Sequence, residues 1–200
     1  DEDVERFVNL MAPRVLAGRA KVAQLTDAYL SQMLETTMAG AVDTSTLRGA
    51  PMSDVYRRPA SAMYDKLSKG QSLTDAIAAS TARLANLVAT DLQMAMVQQA
   101  SASLDGNGFR RVLNGPGDCA LCVIASTQRY HSGDLLPIHP GCNCTVAPLG
   151  PGEGVDQVID PELLEQVHAQ VESLTGEVGR SVDYRKLIIV REHGEIGPLL

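Results

Sequence analysis

The stretch LTDAIAASTARLANLVATDLQMAMVQQASASL, residues 73–104, carries the clearest structural signal in the chain. Large apolar side chains recur in it every three or four residues, which places them on one face of an α-helix. These residues are Leu73, Ile77, Leu84, Leu87, Val88, Leu92, Met96 and Val97. A hydroxyl at Ser72 or Thr74 can cap the first turn by accepting a backbone hydrogen bond. We therefore predict one long helix that ends near Leu104.

Residues 4–38, at the start of the chain, show the same helical spacing of apolar side chains. They are Val4, Phe7, Val8, Met11, Val15, Val22, Leu25, Tyr29, Met33 and Leu34. The pattern predicts a second long helix, and Pro13 predicts either a kink or a break within it. A short helix is expected over residues 60–68, with its end near Gly70. Residues 40–59 show no clear period and are predicted to form a connector.

The composition agrees with a mainly helical fold. Hydrophobic residues make up 44% of the 200 residues, which is enough for a core, whereas aromatic residues make up only 4%. Abundant Ala, Leu, Val and Met with few aromatic residues favour packed helices over a large β-sandwich. No apolar run approaches the roughly 20 residues that span a bilayer, so the sequence predicts a soluble chain.

Charge is distributed unevenly along the chain. Residues 1–110 hold 12 acidic and 11 basic residues, whereas residues 111–200 hold 12 acidic and 6 basic residues. Nonspecific DNA binding depends on Lys and Arg side chains that neutralise phosphates. The acidic second half therefore argues against a broad nucleic-acid-binding surface.

The character of the sequence changes after residue 104. Asp105-Gly106-Asn107-Gly108 predicts a turn, and residues 109–113 (FRRVL) predict a short strand. A linker rich in Gly and Pro, residues 149–154, precedes a helix predicted from Pro161 to Leu174. Residues 184–192 are apolar in their middle and fit either a strand or a short helix.

All four cysteines of the chain lie in two short stretches, GDCALC at residues 117–122 and HPGCNC at residues 139–144. The first stretch contains Cys119 and Cys122, and the second contains His139, Cys142 and Cys144. Two compact groups of ligands joined by a loop are typical of a structural zinc site, because each group chelates the ion through a tight turn. We therefore predict that this region binds zinc.

A structural zinc ion takes four ligands, whereas this cluster offers five. Cys119, Cys122 and His139 are the preferred three, since Cys119 and Cys122 lie three residues apart and converge easily on one ion. The fourth is either Cys142 or Cys144, because in an extended strand the two would lie too far apart to share a tetrahedron. The spacing does not choose between them.

Three other roles fit these cysteines less well. Core cysteines would be scattered along the sequence, two disulfides would need an oxidising compartment, and a redox Cys-x-x-Cys pair would need a βαβ setting. The cluster also lacks the His-x-Glu and His-Glu-x-x-His patterns of catalytic zinc sites. The surplus of ligands favours a closed structural ion, so we predict no enzymatic activity. His131 is predicted to be an ordinary surface residue.

These motifs resemble those of the Mu F-like phage head morphogenesis proteins, which are minor capsid proteins of tailed bacteriophages. The similarity lies in the helical N-terminal region, the segment FRRVL, the Cys119-x2-Cys122 pair and the sequence HPGCNCTVAP at residues 139–148. It covers residues 70–150. Residues 182–194 are similar, more weakly, to the C-terminal region of such proteins from actinobacterial phages.

The resemblance implies a structural protein inside the phage head, acting at the portal and inner capsid surface in head assembly and in DNA packaging or ejection. The portal protein and the major capsid protein are the implied partners, with packaged DNA a weaker candidate and no membrane association. The implied location is the virion, and the bacterial host cytoplasm during assembly.

We therefore expect a mainly α fold with a small α+β region, in which long N-terminal helices precede a compact module held together by structural Zn²⁺. The expected organisation is a helical region over residues 1–105, a zinc-binding module over residues 106–150 and an acidic C-terminal extension over residues 151–200.

Two other functions stay open on the sequence alone. A zinc-dependent hydrolase, or an effector delivered with phage DNA, would need a carboxylate near the metal, for which Asp118 and Asp134 are the candidates. A nucleic-acid-binding zinc module would use Arg110, Arg111 and Arg129 to contact phosphates.

Overall fold

The computed structural model describes residues 2–104, 108–115, 120–131, 144–149 and 156–176. Within them the helices are α1 (Glu2–Leu34), α2 (Met52–Tyr56), α3 (Arg58–Ser68), α4 (Leu73–Ser103), α5 (Ala120–Ser126) and α6 (Pro161–Thr175). The strands are β1 (Phe109–Val112), β2 (Arg129–Tyr130) and β3 (Thr145–Pro148). The predicted mainly α fold with a small β component is confirmed. Most of the predicted turn at 105–108, most of the linker at 149–154, and the segment 184–192 lie outside the described residues.

Both long helices predicted from the apolar spacing are present, as α1 and α4. α1 continues through Pro13, so the alternative of a break at this residue is wrong. Ser72 rather than Thr74 caps α4, because its hydroxyl oxygen accepts a hydrogen bond from the backbone N–H of Asp75 at 3.1 Å. No helix in the described part of the chain combines the length and apolarity needed to cross a membrane.

α1 ends at Leu34, four residues before the predicted end. The next residue, Glu35, has a φ of 52°, the left-handed conformation that commonly closes a helix. The backbone N–H of Thr36 then donates to the carbonyl of Ser31 at 3.0 Å. Glycine is the usual residue at such a position because it lacks a Cβ, so the glutamate gives no sequence signal for the helix end.

The predicted connector at residues 40–59 is only partly irregular. α2 and the first residues of α3 fall inside it. α2 begins after Pro51 and buries Val55 and Tyr56, which pack with Val8 and Val15 of α1 and Leu87 of α4. Five residues are too few to show a helical period, which is why the sequence pattern does not indicate α2. The helix predicted over residues 60–68 is confirmed as α3.

The three strands form one antiparallel sheet in the order β2-β1-β3. β1 confirms the predicted strand, whereas β2 and β3 are additional to the sequence predictions. Phe109 stands opposite Tyr130 of β2, and the two rings stack with centroids 5.4 Å apart. The sheet packs on α1 and α4 through one apolar cluster of Leu30, Val97, Ala100, Leu104, Phe109 and Val146. The sheet is therefore attached to the C-terminal ends of both long helices.

A cluster of charged and polar groups is buried between α1 and α4. The carboxylate of Asp91 is fully buried and accepts hydrogen bonds from Arg19 at 2.5 Å, from Tyr56 at 2.6 Å and from Arg48. Arg19, 1% exposed, also donates to the carbonyl of Thr44 at 3.1 Å. One carboxylate thus joins both long helices to α2 and to the connector.

A second polar cluster holds the other end of the connector. The buried carboxylate of Asp27 accepts from the backbone N–H of Gly40 at 2.9 Å and from the hydroxyl of Ser103 at 2.9 Å. The side-chain amide of Gln99 accepts from the N–H of Val42 at 2.8 Å and donates to the carbonyl of Gly40 at 3.0 Å. Most residues from 40 to 51 are exposed, so these polar contacts rather than apolar burial fix the path of this part of the connector.

We expect Asp91→Asn to lower the free energy of unfolding by about 3–5 kcal/mol, because it leaves the buried Arg19 and Arg48 guanidinium groups without their anion. Urea unfolding measures the change. Glu5→Gln is the matched control, since it removes an ion pair with Arg57 whose side chains are 45% and 44% exposed, and should cost at most about 1 kcal/mol. Equal losses in the two variants would contradict the role given to Asp91.

We expect stability to fall as pH rises above about 10, in part because of Tyr56. Burial, followed by the hydrogen bond to Asp91 and the negative charge of Asp91, raises the pKa of the Tyr56 hydroxyl above its ordinary value of 10.0. Above that pH the unfolded chain releases this proton while the folded chain keeps it, so the tyrosine's contribution is complete below pH 10 and declines above it.

Tyr56→Phe removes both the hydrogen bond and the proton. At pH 7 the variant should be less stable by about 1.5–3 kcal/mol, as for other hydrogen bonds to charged groups, and the difference should shrink above pH 10. Urea midpoints from pH 7 to 11 measure it, with Tyr64→Phe, at a side chain that is 53% exposed, as the control. A difference that stays constant over this range would be the contrary result.

Candidate metal centre

Two of the five predicted zinc ligands, Cys122 and Cys144, lie among the described residues, and the fold brings them together. Cys122 is in α5, and Cys144 comes directly before β3. They are 0% and 3% exposed and pack against each other and against Leu113. Twenty-two positions separate them in the sequence. Their contact is therefore a product of the tertiary fold.

The other three predicted ligands, Cys119, His139 and Cys142, lie outside the described residues. The described part of the chain contains no group of three or more Cys, His, Asp or Glu side chains placed to hold a metal ion. Asp118 and Asp134, the carboxylates considered for a hydrolase, also fall outside it. His131 is exposed, as predicted.

The pairing of β1 with β3 explains where Cys144 lies. Arg111 stands opposite Val146, and Val112 stands opposite Thr145. Continuing this register by one position places Leu113 opposite Cys144, which agrees with their packing. Side chains on a strand alternate between its two faces, so Cys144 and Val146 share one face of the sheet. That face is the one that packs on the long helices.

Arg111 is a buried basic residue beside the cysteine pair. It is 5% exposed, and its Nη1 donates to the Sγ of Cys144 at 3.5 Å. Its guanidinium carbon lies 5.5 Å from the centre of the Tyr130 ring, a cation–π arrangement. Its neighbour Arg110 is exposed on the opposite face of β1. The burial of Arg111 does not fit the phosphate contact considered for it from the sequence.

The position of Arg111 could have been predicted from the strand alone. In Phe109-Arg110-Arg111-Val112 the first and third residues share a face, so burying Phe109 also buries Arg111. The role of Arg111 beside a sulfur could not have been predicted in this way, because it depends on β3, whose pairing joins residues more than thirty positions apart.

This donor set suits a metal thiolate site. Cysteine binds zinc as the thiolate, and a positive hydrogen-bond donor beside the sulfur stabilises that form. Both sulfurs are shielded from solvent, as in closed structural sites. The chemistry of Cys122, Cys144 and Arg111 is therefore compatible with a structural zinc ion, for which these two cysteines would be ligands.

Residues 156–160, which follow the linker, are hydrogen-bonded to the residues that follow α5. The N–H of Arg129 donates to the carbonyl of Gln157 at 2.8 Å, and the N–H of Ile159 donates to the carbonyl of Thr127 at 2.8 Å. Asp160 then caps α6 by accepting from the N–H of Leu163 at 2.9 Å. α6 agrees with the helix predicted from Pro161 to Leu174 and begins beside the end of α5.

An apolar face of α1 lies exposed beside the sheet. Leu25, Tyr29 and Met33, spaced four residues apart, are 57%, 51% and 54% exposed. Next to them a cavity of about 280 Å³ opens between α1, α4 and β3; it is lined by Leu25, Thr26, Tyr29, Leu30, Met96, Thr145 and Val146. Contiguous exposed apolar side chains often mark a protein-binding surface.

Comparisons of the chain with protein-family models, with curated proteins and with solved structures find no match. The resemblance to Mu F-like head proteins therefore remains a hypothesis based on the sequence motifs between residues 70 and 150.

Proposed function

We propose that this chain is a structural minor head protein of a tailed bacteriophage, which acts at the portal and inner capsid surface in head assembly and in DNA packaging or ejection. One observation carries the proposal. Cys122 and Cys144, from the two motifs on which the family resemblance depends, meet in one buried position. Such a meeting is what a shared metal ion between the motifs requires.

The burial of these cysteines supports a structural rather than a catalytic ion. A catalytic zinc ion keeps one coordination position open for water or substrate, which requires access from solvent. Cys122 and Cys144 are at most 3% exposed, and the side chain beside them, Arg111, is 5% exposed. The zinc ion would instead fix α5 to the start of β3, in a sheet whose three described strands have at most four residues each.

The exposed apolar side chains of α1 support a role in binding other proteins. The exposed apolar side chains of Leu25, Tyr29 and Met33 lie on one face of α1 and could pack against a partner helix. The acidic balance of residues 111–200 is less suited to a broad DNA contact than to a protein contact. The portal protein and the major capsid protein are the partners that we propose.

We expect the chain purified without added reductant to contain one zinc ion and, once denatured, four reactive thiols. Cys122→Ser should lose most of the zinc, because a ligand is missing, while His131→Asn, at an exposed histidine, should keep it. Elemental analysis and thiol titration in denaturant make the two measurements. Absence of zinc together with absence of free thiols would indicate disulfides and contradict the proposal.

The proposed role as a minor head protein is tested on purified phage particles. We expect an epitope-tagged copy, expressed from the phage genome that encodes it, to copurify with DNA-filled heads and to appear as density beside the portal in an asymmetric reconstruction. Cys122→Ser should reduce incorporation several-fold, because the module that it stabilises is lost, whereas His131→Asn should not. Purified particles without the tagged chain would overturn the proposal.

A further inference from the structure

We propose that Cys144, and not Cys142, is the fourth ligand of the metal centre, and that Arg111 is the positioning residue that holds its sulfur. The sequence spacing left the choice between the two cysteines open. This inference rests on the proposed zinc site and adds to it one ligand and one supporting residue.

The packing of Cys144 supports its assignment as a ligand. Cys144 is 3% exposed and contacts Cys122, itself fully buried and part of the first motif. Two thiolates on one zinc ion, each about 2.3 Å from the metal, have sulfurs less than 4 Å apart, which corresponds to side chains in direct contact. The described fold thus already brings one cysteine of each motif into one buried cluster, as ligands of a shared ion would be.

The backbone of Cys144 is held by the sheet. It directly precedes β3, whose four residues all pair with β1. The same register continues beyond the other end of β3, where the N–H of Leu149 donates to the carbonyl of Gly108 at 3.0 Å. A ligand next to a paired strand has little freedom to move, which suits a preorganised metal site. Cys142 is two residues further from the strand.

Arg111 is held in place independently of any metal. Its position opposite Val146 fixes its backbone, and the ring of Tyr130 lies 5.5 Å from its guanidinium carbon. Tyr130 is in turn stacked on the buried Phe109. From this position Nη1 donates to the Sγ of Cys144 at 3.5 Å. The donor is therefore aimed at the sulfur by contacts that do not involve the cysteine.

The positive charge of Arg111 is also suited to a position beside the proposed zinc site. A zinc ion with three thiolates and one neutral histidine carries one net negative charge, which is costly to bury without compensation. The guanidinium of Arg111 supplies one positive charge at the sulfur of Cys144 and is itself 5% exposed. Hydrogen bonds from such neighbouring residues typically change metal affinity by about 10–100-fold.

The test replaces zinc with Co²⁺, whose sulfur-to-metal charge-transfer absorption grows with the number of thiolate ligands. The reduced, metal-free chain is titrated with Co²⁺ alone. We expect the wild type and Cys142→Ser to show the same intensity per bound ion, and Cys144→Ser to show about one third less, because one of three thiolates is lost. Cys142→Ser keeps the test informative even if Cys144→Ser fails to fold.

Arg111→Met removes the charge and the hydrogen bond while keeping a side chain of similar apolar length. We expect it to weaken Co²⁺ and Zn²⁺ binding by about 10–100-fold in chelator competition and to shift the charge-transfer band to lower energy, with its intensity per bound ion unchanged. Arg111→Lys should recover part of the affinity. Arg110→Met, on the exposed face of the same strand, is the matched control and should leave both measurements unchanged.

The outcomes separate this inference from the proposed function. If the wild type binds neither Co²⁺ nor Zn²⁺, the zinc site itself is wrong. If it binds with three thiolates but Cys142→Ser loses charge-transfer intensity, the zinc site stands and the assignment of Cys144 is overturned. If Arg111→Met matches Arg110→Met in affinity and band energy, Arg111 has no positioning role.

Discussion

The packing of the helical region, residues 2–104, depends on the hydrogen bonds and ion pairs of the buried Asp91 carboxylate. This carboxylate faces the guanidinium groups of Arg19 and Arg48 and the hydroxyl of Tyr56, and so connects α1, α2, α4 and the connector at a single point. An ion pair in the interior stabilises a fold only when its polar atoms find partners, but it strongly penalises any arrangement that separates them. The pairing of Asp91 with Arg19 therefore sets which residues of the two long helices lie side by side.

That alignment determines where the sheet can pack. With α1 and α4 side by side, Leu30 and Leu104 lie together at their C-terminal ends and form the surface that Phe109 and Val146 cover. β1 and β3 are then placed so that the side chain of Arg111 and the sulfur of Cys144 meet within the buried region. The proposed metal centre thus lies beside a sheet that packs on the helices, and a zinc ion would add a bond between α5 and the start of β3, whose cysteines already pack together.

Much of this fold could be predicted from the sequence, because long helices repeat their apolar spacing many times. α2, β2 and β3 have two to five residues each and show no period, so only their tertiary contacts define them. Apolar spacing alone does not indicate the buried charged residues. Yet Val15, Arg19, Ala23 and Asp27 recur every four residues on α1, and Asp91 follows Leu87 by four on α4. Charged residues of opposite sign that lie on the apolar faces of two helices indicate that the helices bury them together as an ion pair.

At the proposed metal centre the sequence identified the ligand types and their spacing but left Cys142 and Cys144 equivalent, because the choice depends on strand pairing and on a hydrogen bond from a side chain 33 positions away. The most direct test of the central claim is X-ray absorption at the zinc edge of the purified chain, which counts the atoms bound to the metal. We expect three sulfurs at about 2.3 Å and one nitrogen, from Cys119, Cys122, Cys144 and His139. A shell made of oxygen and nitrogen, or no zinc at all, would contradict it.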